Sequence, residues 1–550
     1  MIVDQNERKK NESIAEEVCH EFHQMTSARK NFESHWTEIA ERVIPAHSKL
    51  FQQGEFRGSK GDKRNEYIYD STAAIALNRF SSILDSLLTP RNQTWHRILP
   101  SDRNLQKDRQ VKLWFEEVNR ILFRHRYAAR ANFASQNQQN YKSLGAYGTG
   151  CMFVDEMAGE PGIRYRNCHL AEVYFAENHQ GIVDKVIRYF PLSARQAKQK
   201  WGDKLPATIL SAAGTSPEKE FFFFHCVKPN TEKDPSRADY KGMDFASYYV
   251  SEDGKALLSQ GGYTTNPFPI SRYEQMPGEV YGRSPAMDVL PAIKTLNEQK
   301  KTVLKQGHRT VDPVLLAHDD GIIDSFSMRP GAINAGGISA DGRMLVQPLQ
   351  VGNVQIGKEL MDDERAIIND AFLVTLFQIL VETPQMTATE VMERTREKGI
   401  LLAPTIGRQQ TEYLGPMIDR ELDILSKQGQ LPPMPDLLLE AKGDYRVEYD
   451  SPLSRAQRAE EASGLMRTIE TALNVVNVTQ DMAPLDFFDW DTIIPEVSDI
   501  QGVPSRWMRD PKVVAQIRQG RAEQAQAQQN IQGAPAAAAM VKAAAVAQKA

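Results

Sequence analysis

The sequence predicts an α+β protein that is mainly helical, and three observations predict it. Long stretches repeat apolar residues at spacings of three, four and seven, the period of an amphipathic helix. Between about residues 151 and 268 that period gives way to short β-branched and aromatic runs set off by turn residues. A central stretch, from Tyr281 to about Gln428, reads as helix, strand-containing insert, helix, tight loop, helix.

Size and composition bound the rest. A chain of 550 residues can bury one or more large cores, and roughly three domains is the usual expectation. The net charge of −5 disfavours a protein that grips nucleic acid tightly, because phosphate binding is driven by release of counterions from a basic surface. It does not disfavour a surface past which DNA slides. Cys19, Cys151, Cys168 and Cys226 lie far apart with no CxxC spacing, which fits a reducing compartment. Residues 1–30 are charged and polar, unlike a secretory signal. The longest apolar run, 371–381, is interrupted by Thr375 and Gln378 and is too short to span a bilayer. The expectation is a soluble protein or part of a soluble assembly.

Taken in order, residues 12–43 predict one or two helices carrying Ile14, Val18, Phe22, Met25, Phe32, Trp36, Ile39 and Val43. Residues 50–66 read as an exposed loop. Asp70-Ser71-Thr72 caps an amphipathic helix that stops at Thr89-Pro90. Helices follow over 106–126 and 130–147, and Gly145, Gly148 and Gly150 punctuate the switch to a strand at 151–155. Further strands are expected at 163–167, 173–176, 183–190, 221–227, 246–251 and 256–259, with a short helix at 193–201. Asp253-Gly254 predicts a type I′ hairpin turn, since glycine tolerates positive φ.

The first central helix is expected over 285–308, with Lys294, Lys301 and Lys305 off its apolar face. Strand-like pieces at 314–317 and 344–348 lie in the insert. The second central helix is expected over 356–381 and is stopped by Pro384, which lacks an amide donor. Thr387-Ala388-Thr389-Glu390 is a capping-box pattern that restarts a helix at once. A strand at 445–449, a helix at 454–476 and an Ala/Gln-rich tail from about 521 complete the chain.

Candidate chemistry is sparse. Gly145-Ala146-Tyr147-Gly148-Thr149-Gly150 runs from helix into strand, the reverse of a phosphate-binding loop, so a helix C-cap is the better reading. No GxxxxGK[ST] motif occurs. Cys168-His169 and His225-Cys226 lack the local spacing of zinc ligands and read as strand residues. Asp362-Asp363-Glu364 would point in different directions around a helix. Arg120, Arg124, Arg126 and Arg130 with His125 form the densest basic cluster, read as a solvated or subunit-bridging face. No catalytic, cofactor or metal residue is assigned.

Several segments are together similar to the head-to-tail connector (portal) proteins of short-tailed bacteriophages. They are Tyr69-Asp70-Ser71-Thr72-Ala73-Ala74 with the helix running to Thr89-Pro90, Trp95, Tyr281-Gly282-Arg283-Ser284-Pro285, Asn297-Glu298, the helix start over 387–396, Ser451-Pro452-Leu453-Ser454-Arg455-Ala456-Gln457, and Gly502-Val503-Pro504. The resemblance covers nearly the whole chain in order. It implies a wedge that assembles into a ring, typically of twelve copies, at one capsid vertex. It implies a wing over 1–283, stem helices over 284–308 and 356–381, a clip over 309–355 and a tunnel loop over 382–388. It further implies a return to the wing over 389–450, a crown over 451–520 and a tail over 521–550.

The tunnel-loop residues are then Glu382, Thr383, Pro384, Gln385, Met386 and Thr387, and Lys294, Lys301 and Lys305 are candidates to face the channel. The implied partners are double-stranded viral DNA, the major capsid protein, scaffolding protein, terminase, a tail adaptor and internal core proteins. The implied location is the portal vertex of the virion, after assembly in the host cytoplasm. Two other classes stay open from the residues themselves: a helical scaffold or adaptor, and a nucleic-acid-processing enzyme.

Overall fold

The computed structural model describes residues 5–51, 61, 64–66, 68–102, 104–237, 239–317, 327–349, 354–375, 403–441, 443–449, 452–500, 503, 505–510 and 512–525. In chain order the helices include α1 (Gln5–Val43), α2 (Thr72–Leu88), α3 (Arg109–Arg126), α4 (Phe133–Tyr147), α5 (Ala194–Trp201), α6 (Ala207–Thr215), α7 (Pro285–Asp288), α8 (Leu290–Val311), α9 (Val354–Ala371), α10 (Gly415–Lys427), α11 (Asp436–Glu440), α12 (Pro452–Thr479) and α13 (Trp490–Ile500). The strands are β1 (His96–Pro100), β2 (Thr149–Glu156), β3 (Ile163–Asn167), β4 (Val173–Glu177), β5 (Val183–Ser193), β6 (Glu220–Pro229), β7 (Phe245–Ser251), β8 (Ala256–Tyr263), β9 (Ile270–Arg272), β10 (Leu315–Ala317), β11 (Val346–Pro348) and β12 (Tyr445–Tyr449). The chain divides into two compact units, Met1–Thr94 with Leu122–Gln430, and Trp95–Ile121 with Leu431–Ala550.

The first unit is built on two antiparallel sheets, one ordered β4-β5-β6-β7-β8 and one ordered β3-β2-β9. Alternation along β6 sends successive side chains to opposite faces, and the aromatic run there serves both. Phe224 and Cys226 meet Ala15, Val18 and Phe22 of α1 in one buried cluster. Phe223 faces the other way and packs with Phe190, Trp201 and Ile209, so α5 and α6 cover that end of the sheet. His225, two residues along on the same face, lies against Phe153 of β2 (ring centroids 5.5 Å apart). The second sheet therefore packs on the first through β2. Burying Phe22, Phe223, Phe224 and Trp201 is worth about 1.5–3 kcal/mol per side chain, which is what holds the layers together.

Several elements differ from the sequence expectation for identifiable reasons. Residues 5–43 form one helix, fixed midway by Arg29. That guanidinium is buried and donates to the carbonyls of Leu170 (2.8 Å) and Val173 (2.5 Å), with Tyr174 stacked beneath it. Ser71 makes no side-chain cap on α2. Asp70, one residue earlier, accepts from the Thr72 amide (2.9 Å) and hydroxyl (2.5 Å) instead. The β7–β8 hairpin exists, but its connection takes four residues, with Gly254 and Lys255 at positive φ (71° and 42°). The first central helix is split at Val289 into α7 and α8, because Pro291 cannot supply the amide that would continue the ladder across that point. The second is interrupted at residues 372–373, and 376–381 lie outside the described residues. It ends at Ala371, and Leu373 takes a left-handed φ of 61°. That break buries Phe372 against Phe80 of α2 and buries Val374, so tertiary packing overrides helix propensity.

In the second unit β1 and β12 pair antiparallel, from His96 opposite Tyr449 to Pro100 opposite Tyr445. Asn119 of α3 acts as a further partner of β1. Its side chain accepts from the Ile98 amide (3.0 Å) and donates to the Ile98 carbonyl (3.2 Å). Trp114 donates its indole N–H to the Pro432 carbonyl (3.1 Å). Further along, α12 and the turn before α13 leave Val478, Met482 and Phe487 exposed, the last at 91%.

Candidate functional site: the central helix pair and its root

The helix pair starts from a crossing of two glycines. Gly148 terminates α4 in the left-handed region (φ 75°), its amide donating to the Leu144 carbonyl (2.9 Å). The glycine run is thus a C-cap. Its second use was not legible in the sequence. A Cβ on Gly148 would collide with the Gly282 carbonyl oxygen, and one on Gly282 would collide with the Gly148 carbonyl oxygen. Two backbones touch where only glycine fits. Around the crossing, the Gly282 amide donates to Thr149 Oγ1 (2.9 Å) and Ser284 Oγ donates to the Ala146 carbonyl (2.8 Å). Ser284 Oγ also accepts from the Met287 amide (3.1 Å), and Pro285 follows at the first helical position. Tyr281-Gly282-Arg283-Ser284-Pro285 is therefore a fixed launch point for α7 and α8.

The two long helices lie antiparallel. Val303 of α8 sits opposite Gly357 of α9, so close that a Cβ on Gly357 would meet Val303 Cγ2 at 2.6 Å. Nearer the root, the start of α2 ties both helices. The Tyr69 amide donates to Asn297 Oδ1 of α8 (2.8 Å), and Arg365 of α9 donates to Asp70 Oδ2 (2.7 Å). Burial alone would raise the Asp70 pKa, but the hydrogen bonds from Thr72 and Arg365 outweigh it and hold the carboxyl below its usual range. Three separate segments, 69–72, 297 and 365, thus converge on one knot. Lys301 lies over the Tyr69 ring (5.7 Å) beside it.

The pair carries both buried and exposed apolar residues: Leu290, Ile293, Leu296, Met361 and Ile368 are buried, while Leu304, Leu360 and Ile367 are 44–51% exposed. An open groove of about 620 Å³ runs along α8 between Lys294 and Gln306 and reaches Gly357. Past α8, β10 and β11 pair antiparallel, Leu315 opposite Pro348 and Ala317 opposite Val346, and Ile338 bridges to Met344. Apolar side chains of this insert face solvent, with Leu316 at 54%, Ile338 at 65% and Ile333 at 96% exposed.

The three lysines singled out from the sequence have unequal surroundings. Lys294 is ion-paired with Glu38 of α1, and its hydrogen bond pulls the Glu38 carboxyl below its ordinary range. Lys301 is 3.7 Å from Glu298. Lys305 is exposed and makes no ion pair among the described residues. Glu382, Thr383, Pro384, Gln385, Met386 and Thr387 lie outside the described residues.

The other candidates are absorbed by packing. His225 is buried, 3.1 Å from Ser247 Oγ and stacked on Tyr249. His169 contacts His47 (3.2 Å). Among the described residues no group of three or more His, Cys, Asp or Glu could hold a metal ion. The arginine cluster disperses: Arg120 pairs with Glu117 and Arg130 with Glu160, while Arg126 is fully buried against Glu421. Glu421 also accepts from Tyr165 Oη (2.6 Å). Among the described residues no helix is long and apolar enough to cross a membrane.

Known proteins match this sequence along nearly its whole length. The model of the bacteriophage head to tail connecting protein family matches residues 15–508. The portal protein of Salmonella phage epsilon15 is 28% identical over 536 residues, covering 96% of this chain and 94% of that protein. The probable portal protein of Bordetella phage BPP-1 is 28% identical over 529 residues, covering 94% of this chain and 93% of that protein. With the match spanning both units, the chain belongs to the family of bacteriophage head to tail connecting proteins.

Proposed function

We propose that this chain is a structural, non-catalytic portal subunit of a short-tailed phage, closing into a ring of twelve copies at one capsid vertex. Its ring forms the passage for double-stranded viral DNA in packaging and ejection. The body before about residue 283 is the wing, 284–308 and 356–381 are the stem helices, and 309–355 is the clip, which docks the terminase and later the tail adaptor. The loop 382–388 projects into the channel, and 451–520 forms the crown. The major capsid protein, scaffolding protein and internal core proteins are further partners, and assembly takes place in the host cytoplasm.

One observation carries this reading. The helix pair and the insert between them expose apolar side chains, Leu304, Leu360, Ile367, Leu316 and Ile338 among them. A soluble monomer has no reason to leave so much apolar surface in water. Burying it between identical neighbours calls for an obligate interface, on the order of 2,000 Å² or more per contact. Negative-stain imaging of the purified chain tests it: closed annuli with a bore as wide as a double helix are expected. Particles of one or two copies at high protein concentration would overturn it.

A further inference from the structure

Cys151 and Cys168 sit on the buried seam between the two sheets. Cys151 lies in β2, and Cys168 is the residue after β3. The β2–β3 ladder pairs Met152 with Asn167 and Phe153 with Arg166, so one step further Cys151 and Cys168 stand directly opposite each other. The Cys168 amide donates to the Cys151 carbonyl (2.8 Å), which extends the ladder by that step. Opposed residues in an antiparallel ladder project to the same face, and a hydrogen-bonded pair has Cα atoms about 5.5 Å apart. A disulfide bridges Cα separations of about 4.4–6.8 Å. Both cysteines are free thiols, 0% and 1% exposed, and within hydrogen-bond reach of each other.

We infer that Cys151 and Cys168 form a latent disulfide site, a dithiol that a small peroxide closes into a bond between β2 and the segment leading to β4. Cys168 is the nucleophile. The Cys151 thiol, then the Arg188 and Arg166 guanidiniums, favour its thiolate against the opposing effects of burial and Glu172, while burial pushes the Cys151 thiol up. The Cys168 thiol gives up its proton and its sulfur attacks one oxygen of hydrogen peroxide. The O–O bond breaks, and the departing hydroxide takes the proton and leaves as water. Cys168 is now a sulfenic acid. The Cys151 sulfur attacks that sulfur, the S–O bond breaks, and the second water leaves with the Cys151 proton. Two thiols and one peroxide give one disulfide and two waters. The bond ties β2 to the stretch whose Leu170 and Val173 carbonyls hold Arg29 of α1. This chemistry stands whether or not the chain forms a ring.

Cys226 supplies the control, because it is equally buried and has no thiol opposite it. The purified full chain is exposed to dilute hydrogen peroxide, quenched, and unfolded in an alkylating reagent. Peptide mass analysis is expected to find Cys151 and Cys168 unalkylated and joined, lighter by two hydrogens, while Cys226 stays alkylated. Dithiothreitol before alkylation restores labelling at both. Cys168→Ser is expected to leave Cys151 alkylatable after peroxide. Equal labelling of Cys151, Cys168 and Cys226 after peroxide would overturn the proposal. So would Cys168 found as sulfinic acid with Cys151 still free. The comparison with Cys226 within the unaltered chain decides the matter even where Cys168→Ser fails to fold.

Discussion

Two residues of the first unit show how burial sets the behaviour of a charge. Arg126 and Glu421 are each fully buried and pair with one another, and Tyr165 donates its hydroxyl to the same carboxylate. Their mutual attraction offsets a desolvation cost that neither group could meet alone. Arg126→Ala is expected to destabilise the fold by about 3–5 kcal/mol, because Glu421 would be left charged and unpaired. Replacing both, as Arg126→Met with Glu421→Leu, is expected to recover much of that loss in a urea titration. His47 is the opposite case, a neutral group held neutral. Burial, then Lys142 and Arg64, pull its pKa from 6.5 to about 4. Its neighbours are the Tyr147 hydroxyl (3.3 Å) and His169. Between those two values the unfolded chain binds the proton and the folded chain does not, so this group removes stability as pH falls from 6.5 to about 4 and adds no further slope below that. His47→Gln is expected to flatten that part of the pH–stability profile. Neither environment was legible in the sequence. Arg126 read as one member of a basic surface cluster, and His47 is 122 residues from the histidine it meets. What gives them their character is long-range contact, which no local pattern encodes.

The elements were more legible than the joints between them. Periodicity located α2, α4, α8 and α9, and β-branched and aromatic runs set off by turn residues located β2 through β8. The splits were missed for one shared reason: at Pro291 and at Leu373 a local backbone constraint or a buried aromatic wins over an apolar run that reads as one helix. Gly357 was missed as well, since a glycine inside a helix is silent until its neighbour is known. With Val303 seated over it, Gly357→Val is expected to force α8 and α9 apart and cost about 1–3 kcal/mol, the usual penalty of overpacking. Gly357→Ala should show a smaller loss, and thermal melting of the two variants side by side checks the order. The knot at Asp70 makes a second prediction for these elements. Its folded pKa is depressed, so its contribution is present above the unfolded carboxylate range and is lost as pH falls through the folded value. Asp70→Asn is expected to remove that acid-sensitive contribution and to raise hydrogen exchange in α9 at neutral pH, because Arg365 loses its charged partner.

At the scale of the whole molecule, the proposed ring raises the question of how an acidic chain would surround a polyanion without gripping or repelling it. The net charge is −5 per copy, so the proposed ring would carry a large negative charge and any attraction to DNA would have to be local. Three lysines on α8 are the candidates, yet Lys294 is ion-paired with Glu38 and Lys301 lies near Glu298 and Tyr69. A lysine already neutralised within its own chain releases few counterions when a phosphate approaches. Only Lys305 is exposed with no ion pair among the described residues. In the proposed ring this gives one mobile charge per copy along that face, enough to soften the repulsion and too few to trap the duplex. Binding of a short duplex to the assembled particle should therefore be weak and depend only mildly on salt. Each phosphate contact contributes about 0.9 to the slope of log affinity against log salt, so Lys305→Gln is expected to lower that slope measurably. Lys294→Gln is expected to leave the slope unchanged and instead loosen α1 from α8, which hydrogen exchange across residues 35–43 would register. A slope that falls equally for both variants would mean that Lys294 leaves Glu38 for the DNA, and the passage would then be a gripping surface, not a slippery one.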